Sequence, residues 1–149
     1  MSIATMFRPR TRGQIEWITK VHRWVYTKSG GRLGANLAGI PIVLLTTTGR
    51  KTGEARTTPL LSMRDGDTFV VVASNGGADK PPAWWLNLQA KPTAELRYGR
   101  ETHRVTGAQA TADESVRLWP KLDAMYPGYV AYREGTTREI PIVLLRPTV

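Results

Sequence analysis

The segment from residue 46 to residue 56, called the basic tip below, combines positive charges with glycines in a pattern suited to binding an anion. It contains the cations Arg50, Lys51 and Arg56, the carboxylate of Glu54 and the glycines Gly49 and Gly53. Guanidinium groups bind phosphate and carboxylate groups, and glycine lets the backbone approach such a ligand closely. A charged hairpin end that is only solvated has the same composition, so the segment alone leaves both interpretations open.

A second candidate is the glycine-containing segment 74–79, with the sequence SNGGAD. It follows a β-branched run and precedes a predicted helix, a position at which backbone N–H groups can face a ligand. The segment matches neither the Walker loop nor the Gly-x-Gly-x-x-Gly pattern of dinucleotide sites. An ordinary loop is therefore the alternative.

Two aromatic groups are candidates for contacts with a flat ligand. Trp84 and Trp85 are adjacent in a predicted helix and diverge by about 100°, so one can point inward while the other contacts a ligand. Tyr126, Tyr129 and Tyr132 recur every three residues and can line one side of a helix or turn. This tyrosine cluster is typical either of a core or of a pocket wall.

Most other chemistry is disfavoured by the residue types present. Cysteine is absent, and His22 and His103 are the only histidines, so no metal site is expected. We interpret His22 as a packed or solvated residue. No Gly-x-Ser-x-Gly elbow provides a nucleophile. If the chain is an enzyme, a bound cofactor is expected to supply its reactivity.

Length and charge limit the class of protein. At 149 residues the chain has the size of one domain, and 22% charged with 41% hydrophobic residues is typical of a globular protein. The net charge of +9 predicts attraction to nucleic acid, an anionic membrane surface or a phosphorylated cofactor. Apolar runs fall short of the ~20 residues that span a bilayer, and no signal peptide is predicted. Together with the absence of cysteine, this favours the cytoplasm.

The chain divides into a basic arm (residues 1–13), an amphipathic helix (14–29) and a main domain (30–149). The helix is predicted from apolar residues at three- and four-residue spacing, with lysines and arginines between them. Its apolar side can dock on the domain. Trp17 and Trp24 also suit a membrane surface, so both interpretations stay open.

The main domain contains short β-branched runs separated by turns. Strands are predicted at 40–45, 55–63, 68–73, 93–98, 102–109 and 140–145. The first and last share the sequence IPIVLL, and we expect them to pair in a closed barrel. Helices are predicted at 83–90 and from a capping box at Thr111, with Pro120 ending or kinking the second helix. The pattern favours a small antiparallel barrel of the α+β class.

Four segments, taken in order, resemble the deazaflavin-dependent nitroreductase family of actinobacteria. Their sequences are TTTGRKTG at 46–53, ASNGG at 73–77, WWLNL at 84–88 and MYPGY at 125–129. The resemblance extends from about residue 34 to residue 147. Each of the four segments alone is a weak signal, but the four together in this order are specific for the family. It implies a split β-barrel of about six to seven mainly antiparallel strands with short flanking helices. It also implies hydride transfer from reduced coenzyme F420, a deazaflavin with a phosphate and an oligoglutamate tail, to quinones, activated enones or nitroaromatics.

The resemblance also implies roles for individual residues. The phosphate and tail would be bound by Arg50, Lys51, Thr52 and Arg56. The deazaflavin ring and its side chain would lie against Val72, Ala73, Ser74, Asn75 and Gly76, with further contacts from Trp84 and Asn87. The acceptor pocket would be formed by Leu61, Tyr126, Tyr129 and Tyr132, and the catalytic hydrogen bonds to the acceptor would come from Ser74 and Tyr129.

This chain departs from the nitroimidazole-activating members of that family at three positions. Those members have lysine in place of Asn75 and aromatic residues in place of Leu61 and Ser62. The different residues at the acceptor pocket are expected to change which acceptor binds.

The remaining expectations concern partners and alternatives. We expect a small-molecule acceptor, no nucleic acid, and a monomer or weak homodimer in the cytoplasm. The helix at 14–29 provides a second expected location, the inner face of the plasma membrane. An FMN- or haem-binding split barrel and a non-enzymatic binder of anionic surfaces are the alternative functions.

Overall fold

A computed structural model of the chain describes residues 36–37 and 40–148. The predicted basic arm and amphipathic helix, with His22, lie outside the described residues, so both stay predictions. In the described part of the chain, no helix combines the length and apolar character needed to cross a membrane.

The described chain contains eight strands, three α-helices and one short 3-10 helix. The strands are β1 (Asn36–Leu37), β2 (Ile40–Thr48), β3 (Ala55–Leu61), β4 (Met63–Asp65), β5 (Thr68–Val72), β6 (Thr93–Tyr98), β7 (Glu101–Gln109) and β8 (Ile142–Pro147). The α-helices are α1 (Ala83–Ala90), α2 (Ala112–Met125) and α3 (Gly128–Glu134), and the 3-10 helix covers Asn75–Gly77. The predicted α+β class is confirmed.

All strand pairs are antiparallel, in the order β1-β2-β6-β7-β8-β5-β4, with β3 also paired to β2. The expected pairing of the two IPIVLL segments is wrong. The first belongs to β2, which pairs with β3 and β6, while β8 pairs with β5 and β7. A strand has only two hydrogen-bonding edges, and other strands occupy the edges of both copies.

The single strand predicted at 55–63 is divided by Ser62, which is buried. The Ser62 N–H donates to the carbonyl of Pro41 at 3.0 Å, and its hydroxyl donates to the carbonyl of Val70 at 3.3 Å. The chain thus leaves β2, the partner of β3, and continues as β4 beside β5. This change of partner makes a corner of the barrel.

The apolar residues of β5 and β8 alternate between two cores. In β8, Val143 and Leu145 point into the barrel, where Trp84, Trp85 and Leu88 of α1 complete the first core. The residues between them, Ile142 and Leu144, pack with helices α2 and α3 in a second core. Because both faces of these strands are buried at 69–72 and 142–145, those residues are all apolar.

The predicted capping box begins α2. Thr111 N–H donates to Glu114 at 2.9 Å, and Glu114 N–H donates to the Thr111 hydroxyl at 3.2 Å. The helix does not end at Pro120 but continues to Met125. Pro120 is exposed, so water can solvate the backbone group that loses its partner there.

Candidate active site

A cleft of about 710 Å³ lies among the basic tip, strand β3, the end of β5 and helix α1. It is lined by Gly49, Arg50, Lys51, Thr52, Arg56, Thr57, Thr58, Pro59, Leu60, Val72, Ser74, Asn75, Gly76, Pro82, Ala83, Trp84 and Asn87. A cleft of this size accommodates a ligand as large as a cofactor.

Backbone hydrogen bonds fix the basic tip. Gly49 N–H donates to the carbonyl of Glu54, and Gly53 N–H donates to the carbonyl of Gly49, both at 2.7 Å. Gly53 has a φ of 74°, and a Cβ on Gly49 would lie only 3.0 Å from the Thr52 hydroxyl oxygen, so both positions require glycine.

The charges of the basic tip are exposed. Arg56 forms an ion pair with Glu54 at 3.2 Å, with both side chains mostly in solvent. Such a pair contributes little to stability, so Arg56 can exchange Glu54 for a ligand anion at small cost. Arg50 and Lys51 add two further positive charges to the cleft.

Asn87 of α1 connects the basic tip to the barrel. Its Oδ1 accepts from the N–H of Arg50 at 3.1 Å and from Arg50 Nη1 at 3.2 Å, while its Nδ2 donates to Thr47 Oγ1 at 3.1 Å. Asn87 is 3% exposed. This buried amide therefore fixes the position of Arg50 in the cleft wall.

The segment from Ala73 to Ala78, called the cleft turn below, has an unusual backbone. Asn75, Gly76 and Gly77 have φ of 49°, 64° and 83°. The guanidinium of Arg138 donates to the carbonyls of Ala73, Ser74 and Ala78. Burial lowers the pKa of Arg138, and Asp79 opposes that effect. An arginine nevertheless stays charged in a protein.

The tyrosine cluster lies outside the cleft, in the second core. The hydroxyls of Tyr126 and Tyr132 are 2.8 Å apart, and the rings of Tyr126 and Tyr129 meet edge to face at 4.9 Å. A Cβ on Gly77 would lie 3.0 Å from Tyr132, so the cluster packs directly against the cleft turn. Burial raises the pKa of Tyr129, assisted by its tyrosine neighbours. Tyr129 is therefore a neutral hydroxyl.

The structure brings most of the predicted site residues together. The cofactor candidates that line the cleft are Arg50, Lys51, Thr52, Arg56, Val72, Ser74, Asn75, Gly76, Trp84 and Asn87. Ala73 is buried in the first core, where it precedes Ser74. Leu61 packs with Ile42 and Leu44, away from the residues that line the cleft. The roles of all these residues stay predictions.

Sequence reasoning missed two parts of the site. Beyond the predicted Arg56, strand β3 contributes the wall from Thr57 to Leu60. Its signal was Pro59, since proline within a strand marks an edge, and in the described chain β3 pairs only with β2. Arg138 had no local signal, because its partners in the cleft turn lie 60 to 65 residues away.

Over most of its length the chain is similar in sequence to known proteins. The sequence model of the F420H(2)-dependent quinone reductase family matches residues 17–147. The F420H(2)-dependent quinone reductase Rv1261c of Mycobacterium tuberculosis is 37% identical over 132 residues, which cover 86% of this chain and 89% of that protein.

Solved structures show the same fold. An F420-H2 dependent reductase, FDR-A, is 34% identical with a TM-score of 0.66, covering 71% of this chain and 94% of that one. A protein described as a domain-swapped dimer is 30% identical with a TM-score of 0.68, covering 88% of this chain and 98% of that one. The haem protein HutZ of Vibrio cholerae, at 10% identity and a TM-score of 0.53 over 72% of this chain and 82% of that one, shares the fold alone.

Replacing Asn87 tests the connection between α1 and the basic tip. Asn87→Ala leaves the buried Thr47 hydroxyl without its amide donor and releases Arg50. We expect the free energy of unfolding, measured by urea denaturation, to fall by about 1–3 kcal/mol. Gln89→Ala, at an exposed position of the same helix, is the control and should change it by less than about 0.5 kcal/mol. Equal effects would contradict the assignment.

The buried hydroxyl of Tyr129 predicts a dependence of stability on alkaline pH. Burial raises the pKa of Tyr129 in the folded state. Below the ordinary tyrosine pKa of about 10, the neutral Tyr129 hydroxyl therefore makes its full contribution to the free energy of unfolding. Above that pH the unfolded chain ionises first, so stability is lost as pH rises. Urea denaturation between about pH 8 and 11 should show a shallower decline in Tyr129→Phe than in wild type. Parallel declines would disprove the assignment.

Proposed function

The chain belongs to the F420H(2)-dependent quinone reductase family, and from that premise we propose that it transfers a hydride from reduced coenzyme F420 to a quinone in the cleft beside α1. The observation that carries this proposal is the juxtaposition of the basic tip with the uncharged walls formed by α1 and the cleft turn. These surfaces suit the two chemically different parts of the cofactor.

The residues present fit the anionic part of F420. The cleft is lined by three cations, all in the basic tip, and Glu54 beside them does not line it. Arg50 is held by Asn87 through both its backbone and its side chain, so part of its conformational entropy is already lost before a ligand binds. Arg50, Lys51 and Arg56 would therefore hold the phosphate and tail, with Thr52 as a hydroxyl partner.

The remaining walls fit a flat ring. Trp84 is 5% exposed yet lines the cleft, and Val72 adds a second apolar side chain to the lining. The cleft turn contributes backbone N–H groups and the hydroxyl of Ser74. When bound, reduced F420 supplies the hydride, and these residues orient the ring toward the acceptor.

We place the acceptor near the cleft turn, where the tyrosine cluster packs against Gly77. Ser74 lines the cleft, and its hydroxyl would donate a hydrogen bond to the acceptor oxygen as negative charge develops there. Leu61, Tyr126, Tyr129 and Tyr132 do not line the cleft, so their roles at the acceptor stay predictions. Burial raises the pKa of Tyr129, which would keep its hydroxyl neutral in such a role.

Further proposals concern the acceptors, the membrane, nucleic acid and the oligomeric state. The relatives are named quinone reductases, and reduction of nitroaromatics and activated enones by this chain stays a prediction. Docking on an anionic membrane depends on the helix at 14–29, outside the described residues. The expected lack of nucleic-acid binding and the expected monomer or weak homodimer likewise stay predictions.

Reoxidation of reduced F420 tests the function directly. The protein is mixed with reduced F420 and a quinone, and the return of oxidised cofactor absorbance is followed. We expect reoxidation that depends on both protein and quinone. Parallel titrations with FMN and haem test the two rival cofactors. Affinity for FMN or haem alone, with no reoxidation across a series of quinones, would refute the proposed function.

Removing charge from the basic tip should weaken cofactor binding in a salt-dependent way. We expect Arg50→Ala combined with Lys51→Ala to raise the Kd for oxidised F420 roughly tenfold at low salt. The difference in Kd between this double variant and the wild type should shrink toward ~1 M salt, where the Debye length is about 3 Å.

The matched control for this pair is Lys91→Ala combined with Arg100→Ala. It removes the same charge from exposed positions that do not line the cleft. Titration by cofactor fluorescence measures both double variants. An equal change in Kd in the two would show that net charge, and not the basic tip, determines affinity.

A further inference from the structure

The cleft turn holds a backbone shape that its sequence alone does not explain. Three successive residues have positive φ, and one of them, Asn75, is the only non-glycine residue with positive φ in the described chain. An L-residue rarely adopts this conformation unless the surrounding structure imposes it. The Asn75 side chain makes one local contact, donating to the carbonyl of Lys80 at 3.1 Å.

Arg138 supplies the long-range constraint. Its guanidinium donates to the carbonyls of Ser74 at 2.8 Å, Ala78 at 3.0 Å, Ala73 at 3.2 Å and Glu139 at 3.3 Å. Three of these acceptors belong to the cleft turn. A planar guanidinium presents several donors in a fixed arrangement, so it fixes the relative positions of the carbonyls it binds.

The segment that contains Arg138 makes a second contact just beyond the cleft turn, at Asp79. The Thr136 hydroxyl donates to Asp79 at 3.1 Å and accepts from the Arg138 N–H at 3.4 Å. Arg138 is absent from the residues that line the cleft. It therefore acts on the cleft from behind the turn, without contact with a ligand there.

The hydrogen bonds divide the polar groups of the turn into two sets. Arg138 occupies the carbonyls of Ala73, Ser74 and Ala78. Within residues 40–148, the backbone N–H groups of Ser74, Asn75 and Gly76 donate to no protein acceptor. These three residues line the cleft. Successive N–H groups around a residue with positive φ form a concave donor surface that binds oxygen atoms.

We propose that Arg138 is a positioning residue for the reductase, which holds the cleft turn so that the N–H groups of residues 74–76 can donate to an oxygen of the bound cofactor ring. The identity of the ligand rests on the proposed function. The position of the turn rests on the geometry of Arg138 itself. The proposal predicts that Arg138 affects the ring end of the cofactor, whereas the basic tip affects its anionic end.

Binding of two oxidised ligands separates these effects without turnover. One ligand is F420, and the other is the same 8-hydroxy-5-deazaflavin without phosphate or oligoglutamate. We expect Arg138→Ala to raise the Kd for both ligands by a similar factor, about tenfold. Arg50→Ala combined with Lys51→Ala should raise the Kd for F420 but leave the Kd for the ligand without phosphate and oligoglutamate unchanged. Arg138→Lys, which keeps the charge without the planar fork, should show an intermediate loss.

A control variant distinguishes positioning from general stability. Arg117→Ala removes a guanidinium that binds both oxygens of Asp65, at 3.1 and 2.9 Å, and neither Arg117 nor Asp65 lines the cleft. It should leave both Kd values unchanged, and thermal denaturation shows that each variant is folded at the temperature of the titration. Millimolar guanidinium should restore the affinity of Arg138→Ala for both ligands, because it replaces the missing side-chain group. The same concentration of urea, which is uncharged, should not restore it.

Hydrogen exchange provides a measurement independent of the ligand. The N–H of Gly77 donates to Ser74 and that of Ala78 donates to Asn75. Both N–H groups should exchange faster in Arg138→Ala than in wild type, and their exchange rates should be unchanged in Arg117→Ala. Folded Arg138→Ala and Arg138→Lys proteins with wild-type affinity for both ligands would overturn the inference. A wild-type protein that binds neither ligand would instead overturn the proposed function, and the inference with it.

Discussion

Closure of the sheet at Ser62 is the constraint from which the site follows. Where a strand changes its partner, backbone groups need new hydrogen bonds, and Ser62 donates on both sides of the corner, from its N–H to the carbonyl of Pro41 and from its hydroxyl to the carbonyl of Val70. Before the corner, β3 pairs with β2; after it, β4 pairs with β5. As a result, β3 forms a wall of the cleft facing the end of β5 and helix α1. An uninterrupted strand through this position would remain beside β2.

Two polar side chains, the buried Asn87 and the half-buried Arg138, then fix the orientation of segments that apolar packing does not fix. The basic tip is exposed and residues 75–78 of the cleft turn are only half-buried, so the hydrophobic cores alone do not fix them. Asn87 fixes the tip through Arg50 and Thr47, and Arg138 fixes the turn through its carbonyls. Hydrogen bonds are directional, whereas apolar burial is not, so these two side chains determine orientation where the cores determine only proximity.

Local signals in the sequence predicted local structure well. The capping box at Thr111 and the proline-led start of α1 gave helices at the right places, because both depend on neighbouring residues. The predicted pairing of the two IPIVLL segments was wrong, because the sequence of an apolar strand that is buried on both faces does not specify its partner or its register. The tip and the turn were predicted from charge and glycine spacing, and the α1 part from its two tryptophans, whereas Asn87 was predicted only from the family resemblance. The β3 wall and Arg138 were missed, since both act through tertiary contacts between distant segments.

The distribution of charge around the cleft also limits its chemistry. Among the described residues that line it, the charged ones are Arg50, Lys51 and Arg56, and none is a carboxylate. A reaction that begins by removing a proton from its substrate needs a base, and the cleft offers no carboxylate or histidine for that role. Hydride transfer from a cofactor that is already reduced requires no such base. It requires alignment of two flat molecules and neutral donors to the oxygen on which charge develops, which are what Trp84, Ser74 and the cleft turn can provide.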